Sequence, residues 1–294
     1  MRNFARLLCL MVISFAATQG AQAQSTPTID KILARGEIAI GHRVASRPFG
    51  YIDDTGAVVG YVIDICKYVV EHLKVSLKRP DLKTVYVPAD PSNRIPLVMN
   101  GTIDLECATT GNTVKRQEQV AFSYSTIFPD TRIAVRKGGG VNIVADLKGK
   151  PVSVVAGTVQ QKMLLELSQQ RGLGVRPVLA KDIAENFLLL ETGRADAAIN
   201  DPILLSAYIA KAKNPDSFMF LPDWSGTPEH DALMMAKGDD RFRALVNEAI
   251  VDMIRTGKFE QNYNNWFMRP PYNLPMNDAL KRQLEAPNDE PTNL

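Results

Sequence analysis

Histidine, cysteine and tryptophan are scarce in this 294-residue chain, which holds three, three and two of them. His42, His72 and His230 show no helical metal-ligand spacing, and neither a Gly-x-Ser-x-Gly elbow nor a His-Glu-x-x-His pair occurs. No catalytic residue and no metal ligand is therefore nominated. Gly138-Gly139-Gly140 lacks the Lys-Ser/Thr ending of a phosphate loop and reads as a loop tip, and no cofactor is expected. The carboxylate pairs Asp53-Asp54 and Asp239-Asp240 fall in turns, where turn chemistry accounts for them. No apolar run reaches the roughly 20 residues that a bilayer-spanning helix needs.

Arg2 and Arg6 precede an apolar stretch from Leu7 to Ala17, and Ala21-Gln22-Ala23 offers a small-x-small cleavage site. This is the layout of a secretory signal. Residues 1–23 are expected to be removed, leaving a mature, exported chain that starts at Gln24. Two of the 34 basic residues leave with that leader, so 32 face 32 acidic ones, and neither nucleic acid nor an anionic membrane is indicated as a partner. Cys66 and Cys107 remain, and export would let them oxidise. Sequence does not show whether their Cα atoms approach each other. Two buried thiols are the expectation, with a bridge left open.

A chain of about 270 residues with 45% hydrophobic composition can build two domains with cores. Glu37 to Gly41, Thr84 to Val87 and Ile103 to Cys107 read as strands, with helices at Ile63 to Leu73 and Ile95 to Met99. The same alternation restarts: strands at Val152 to Val155, Gly174 to Leu179 and Ala195 to Ile199, helices at Gln160 to Gln170 and Ile183 to Thr192. Leu245 to Ile254 and Gly257 to Trp266 supply terminal helices, and the tail after Pro270-Pro271 is expected on the surface. The fold class is α/β: two lobes, each a mainly parallel sheet flanked by helices, with the crevice at the carboxyl ends of the strands. Phe128-Pro129-Asp130 and Gly226-Thr227-Pro228 are the expected hinge crossings, which assign 24–129 and 229–294 to lobe one and 130–228 to lobe two.

Three short basic stretches, His42-Arg43, Ser92-Asn93-Arg94 and Lys115-Arg116, each follow an apolar run that reads as a buried strand. A guanidinium is a planar fork that matches a carboxylate, so three arginines aimed into one cleft fit a dicarboxylic ligand, a dicarboxylic amino acid first. Thr158 sits between strand and helix, where backbone N–H groups attract an anion, or serves as an N-cap, or both.

Gly60-Tyr61, Leu147-Lys148-Gly149-Lys150, Ala156-Gly157-Thr158, Gly193-Arg194-Ala195-Asp196-Ala197 and Trp266-Phe267 together follow the pattern of the polar amino acid family of periplasmic solute-binding proteins. Gly41-His42-Arg43, Asn93-Arg94-Ile95-Pro96-Leu97, Val114-Lys115-Arg116-Gln117 and the tail Asn273-Leu274-Pro275-Met276-Asn277 are similar to its glutamate/aspartate-binding subgroup. The resemblance implies a two-lobed periplasmic-binding-protein fold that closes on an amino acid and delivers it to an ABC transporter permease in the inner membrane. It implies Arg116 and Thr109 for the α-carboxylate, Asp201 for the α-ammonium, Arg43 and Arg94 for a side-chain carboxylate, and Phe49 as an apolar wall or a core residue. The chain is expected to act as a monomer. Pro91, Gly111 and Ile183 depart from the subgroup pattern and leave the choice of amino acid open. The rivals are a dehydratase on the same scaffold, of the kind that acts on cyclohexadienyl acids, and a sensor domain.

Overall fold

The computed structural model describes residues 27–270 and 272–294; the expected leader lies outside them. Lobe one is built on a five-stranded sheet. After α1 (Thr28–Arg35), the chain lays down β1 (Glu37–His42), then a small antiparallel sheet of β2 (Ala45–Ser46), β3 (Gly50–Ile52) and β4 (Val58–Val59). Helix α2 (Tyr61–Ser76) leads to β5 (Lys83–Pro88), α3 (Arg94–Met99), β6 (Leu105–Gly111), the short α4 (Val114–Gln117) and β7 (Val120–Ile127).

The second sheet follows: β8 (Arg132–Arg136), β9 (Pro151–Val155), α5 (Val159–Gln170), β10 (Arg176–Ala180), α6 (Ile183–Glu191), β11 (Ala197–Asn200), α7 (Pro202–Ile209) and β12 (Phe218–Phe220). The chain then returns to the first sheet as β13 (Asp231–Ala236) and ends in α8 (Asp240–Arg255), α9 (Lys258–Phe267) and α10 (Asp278–Glu285).

The strand orders are β5-β1-β6-β13-β7 and β10-β9-β11-β8-β12. Both sheets are mixed. β5, β1 and β6 are mutually parallel, as are β10, β9 and β11, because each is joined to the next by a helical crossover. β13 and β8 enter from the other lobe instead, and each runs antiparallel to both neighbours.

Helix α2 turns Ile65, Val69 and Leu73 inward, the i, i+4 spacing read from sequence, and packs against α8, whose Phe242, Val246, Ala249 and Met253 are buried in turn. Phe49 belongs to this core and not to any ligand wall. Its ring is fully buried, 6.3 Å from Tyr61 and 5.5 Å from Phe267 between centroids. Tilted and edge-on aromatic pairs of this kind contribute about 0.5–1.5 kcal/mol each beyond their buried area.

Cys66 on α2 and Cys107 on β6 form a disulfide, with Cα atoms 6.3 Å apart. The expectation of two thiols is thereby corrected: helix packing onto the sheet brings together residues separated by 41 positions.

The segment after Pro270-Pro271, expected on the surface, packs in part into the core, because α10 buries Leu280 and lays Leu284 against the same cluster; beyond α10 the chain runs over the surface and is tied down. Thr292 donates its N–H to the Asn112 carbonyl (2.9 Å) and accepts from the Val114 N–H (3.1 Å), and the Asp289 carbonyl accepts from the Asn112 side chain (2.8 Å). These bonds brace the turn that carries Arg116.

Candidate functional site

The lobes meet over a cavity of about 50 Å³. On that scale a single water needs roughly 10–15 Å³, so the closed cleft takes a small molecule and excludes one the size of a nucleotide. Its walls are the carboxyl ends of the parallel strands: Arg43 just past β1, Pro91 past β5, Thr109 on β6, Thr158 past β9, Ile183 past β10 and Asp201 past β11. Arg94 and Arg116 reach in from α3 and α4. Six of the seven residues nominated from sequence therefore line one cavity, and Phe49 does not.

The three guanidinium groups are placed by different partners. Arg43 forms an ion pair with Glu106 at 3.1 Å and also donates to the Ala89 carbonyl. Arg94 donates to the Thr110 hydroxyl at 2.9 Å, and that hydroxyl donates to Glu106 at 2.9 Å. Arg116 donates to the Gly111 carbonyl at 2.8 Å and, across the cleft, to the Gly157 carbonyl at 3.2 Å. Burial presses all three below the usual arginine range.

Lobe two answers with a helix start and a carboxylate. Thr158 caps α5, accepting from the Gln161 N–H while its hydroxyl donates to the Val155 carbonyl at 2.7 Å. Thr158 and Val159 line the cavity at the end of the helix that carries partial positive charge. Asp201 caps α7 through one oxygen, which accepts from the Ile203 N–H at 2.7 Å. Its other oxygen is buried and makes no hydrogen bond among the described residues. Burial pushes this carboxyl up to about 8, against the pull of the Ile203 N–H.

Further polar residues belong to the site and were not nominated. Glu229 and Asp231 line the cavity from the returning crossing, Gln160 donates to Glu229, and Glu106 sits fully buried behind Arg43. The start of β13 reads as an uninterrupted apolar run, Ala-Leu-Met-Met-Ala, with no alternation to mark it as a strand or its first residue as a wall of a cleft. Among the described residues no cluster of His, Cys, Asp and Glu has the arrangement of a metal site.

Gly157 lies against the opposite lobe. It has φ +76°, and a Cβ there would stand 2.9 Å from the Pro91 carbonyl oxygen of the opposite lobe. The residue is exposed, and its positive φ strains any side chain in the open and closed forms alike, so Gly157→Ala should keep the fold at a small cost and obstruct closure. Overpacking costs about 1–3 kcal/mol, or roughly one to two decades in affinity. Small-angle scattering with saturating ligand should show the variant remaining more extended than the parent; equal compaction would refute the clash.

The family model for bacterial extracellular solute-binding proteins, family 3, matches residues 38–269. The chain is 39% identical over 286 residues to the glutamate/aspartate import solute-binding protein of Salmonella typhimurium, covering 94% of this chain and 93% of that one. It is 38% identical over 277 residues to the L-glutamate/L-aspartate-binding protein of Pseudomonas aeruginosa, covering 90% of each. Among solved structures, an ancestral arginine-binding protein bound to arginine superposes with a TM-score of 0.71 at 27% identity, covering 79% of this chain and 99% of that one. An ancestral amino acid-binding protein, a precursor of cyclohexadienyl dehydratase, superposes with a TM-score of 0.69 at 26% identity, covering 82% of this chain and 99% of that one.

Proposed function

Because the chain belongs to the bacterial extracellular solute-binding proteins of family 3, we propose that its cleft captures an amino acid by closure of the two lobes and delivers it to the membrane permease of an ATP-driven importer. It is a binding protein and not an enzyme, as its Salmonella and Pseudomonas relatives are by name. The observation that carries the reading is convergence. Arginines of lobe one meet, across one small cavity, the N-terminus of α5 and an oxygen of Asp201 that has no partner among the described residues.

That frame suits a zwitterion. Arg116, with Thr109 and the first N–H groups of α5, takes the α-carboxylate, and Asp201 takes the α-ammonium. Arg43 and Arg94 stand ready for a side-chain carboxylate, which favours glutamate or aspartate, the ligands in the names of those relatives. Pro91 and Ile183 bring no hydrogen-bonding side chain to that end. Closure follows because the ligand contacts both lobes only in the closed form. Removal of residues 1–23, periplasmic residence, lobe boundaries at 129/130 and 228/229, and action as a monomer belong to the same reading. No described helix is long and apolar enough to cross a membrane.

Calorimetric titration of ligand-stripped protein with the common amino acids tests it. Tight one-to-one binding of glutamate or aspartate, lost for the amides, is expected. Binding of a neutral or basic amino acid alone would remove the assigned roles of Arg43 and Arg94 and keep the zwitterion frame.

A further inference from the structure

Around the cleft the carboxylates outnumber the guanidinium groups. Arg43, Arg94 and Arg116 face Glu106, Asp201, Glu229 and Asp231, all four of them buried, while Asp90 and Asp182 on the same wall reach solvent. Glu106 is accounted for by its ion pair with Arg43, and Asp201 by its cap on α7 and its place facing the ligand ammonium. Glu229 and Asp231 have no such assignment.

The two lie on the same side of the returning crossing. His230 between them points elsewhere, with Nδ1 2.8 Å from the Glu290 carbonyl and its ring against Phe128. Opposite them is Gly111, where a Cβ would stand 3.1 Å from Glu229 Oε2, 3.3 Å from Arg116 Nη1 and 3.6 Å from Asp231 Oδ1. Both carboxylates and the Arg116 guanidinium therefore share the space that the missing side chain leaves. Glu229 accepts from Gln160 and from the Thr131 hydroxyl, whereas Asp231 Oδ1 is buried without a hydrogen bond among the described residues. The charged groups that face the pair are Arg116 from α4, Arg94 from α3, Arg43 past β1, Glu106 from β6 and Asp201 before α7.

Two carboxylates crowded into one buried space do not both ionise freely. Burial pushes Asp231 up to about 7 despite the pull of Arg116 and Arg94, and holds Glu229 well above the ordinary carboxylate range, with Asp231 adding to the effect. An acidic amino acid brings one more negative charge into this cleft than its amide does. A site with surplus carboxylates accommodates that charge most readily by neutralising one of its own.

We propose that Glu229 and Asp231 form a proton-holding pair, so that capture of an acidic amino acid carries one more proton into the closed cleft than capture of a neutral one, with Asp231 setting the difference. The proton comes from solvent and adds to a carboxylate oxygen; no other bond changes. The proposal rests on the amino-acid-binding reading above. The sign follows from an acid whose closed-state pKa is raised: the protonated pair is available at low pH and lost as pH rises through about 7. Glutamate affinity should then fall by up to about tenfold per pH unit as pH rises from the ordinary aspartate range near 4 to about 7, and glutamine affinity by less.

Titration calorimetry in two buffers of different ionisation enthalpy, with glutamate and with glutamine, counts the protons directly. The parent should take up about one proton more with glutamate than with glutamine. In Asp231→Asn that difference should vanish and the pH slope for glutamate should flatten. Glu229→Gln makes the same test should the first variant fail to fold. Equal proton uptake for the two ligands, or a difference that survives both substitutions, would overturn the proposal while leaving amino-acid binding intact. Heat from neither ligand in the parent would overturn the functional reading along with it.

Discussion

Arg116→Ala should abolish measurable binding of every amino acid, acidic or neutral. The side chain touches both lobes, donating to the Gly111 carbonyl in lobe one and the Gly157 carbonyl in lobe two, and it borders the one cavity that the nominated residues share. In the proposed complex it meets a group that all amino acids possess. Truncating one partner of a desolvated charge pair costs about 2 to 5 kcal/mol, or roughly two to four decades in affinity.

The informative control is Arg94→Ala, which should weaken glutamate and aspartate far more than their amides. Arg43 is the poorer control, because its removal would leave Glu106 fully buried without its ion-pair partner and disturb the fold itself. Calorimetry on both variants decides the matter: equal losses for acids and amides in Arg94→Ala would end the division of labour between the arginines.

Asp201→Asn should be nearly as damaging, with a different signature. Its second oxygen is buried and makes no hydrogen bond among the described residues, so it is placed to accept from an incoming ammonium. Loss of two decades or more is expected for every α-amino ligand, and little loss for glutarate, which has both carboxylates and no amine.

The pH dependence has a definite sign. A solvated aspartate titrates near 4, whereas this one stands at about 8 in the closed, ligand-free cleft. The closed form thus holds a proton that the open form releases between these values. Closure of the empty cleft is unpenalised below about pH 4 and becomes steadily less favourable as pH rises to about 8. At neutral pH an empty cleft should stay open until an ammonium arrives. Glutarate should bind the parent more tightly at pH 6 than at pH 8, and Asp201→Asn should flatten that trend to the part the Glu229–Asp231 pair contributes. A flat glutarate profile in the parent would refute the role of Asp201.

The legible part of this site shares one property. Arg43 and Thr158 each lie just past a short apolar run, where an open α/β sheet places its ligand groups, so strand assignment and site assignment were one inference, whereas Thr109 and Asp201 entered through the family resemblance. What was not legible depends on partners distant in sequence. Phe49 stands in a turn-rich segment next to proline, and only the arrival of Phe267 from α9 makes it core. Glu106 occupies an inward position of β6 that a charged residue rarely takes, and Arg43 permits it. Glu229 and Asp231 follow a glycine-proline crossing and open a strand buried on both sides, where periodicity carries no signal. The disulfide is of the same kind, since nothing in the spacing of Cys66 and Cys107 encodes the meeting of α2 with β6.

The position of β13 between β6 and β7 also orders events during synthesis. β7 has β13 as its one sheet neighbour among the described strands, and Asp231 follows the whole of the second sheet in the chain. A growing polypeptide that has released all five strands of lobe two still has β7 unpaired and β6 with an open edge. Lobe one, though it begins first, finishes last. Pairing over so long a separation is slow, and until it happens the nascent molecule carries an exposed strand of eight residues, Val120–Ile127, with Val120, Phe122 and Ile127 uncovered. That strand is the segment a holding chaperone would have to cover, and the one through which an incomplete chain would aggregate.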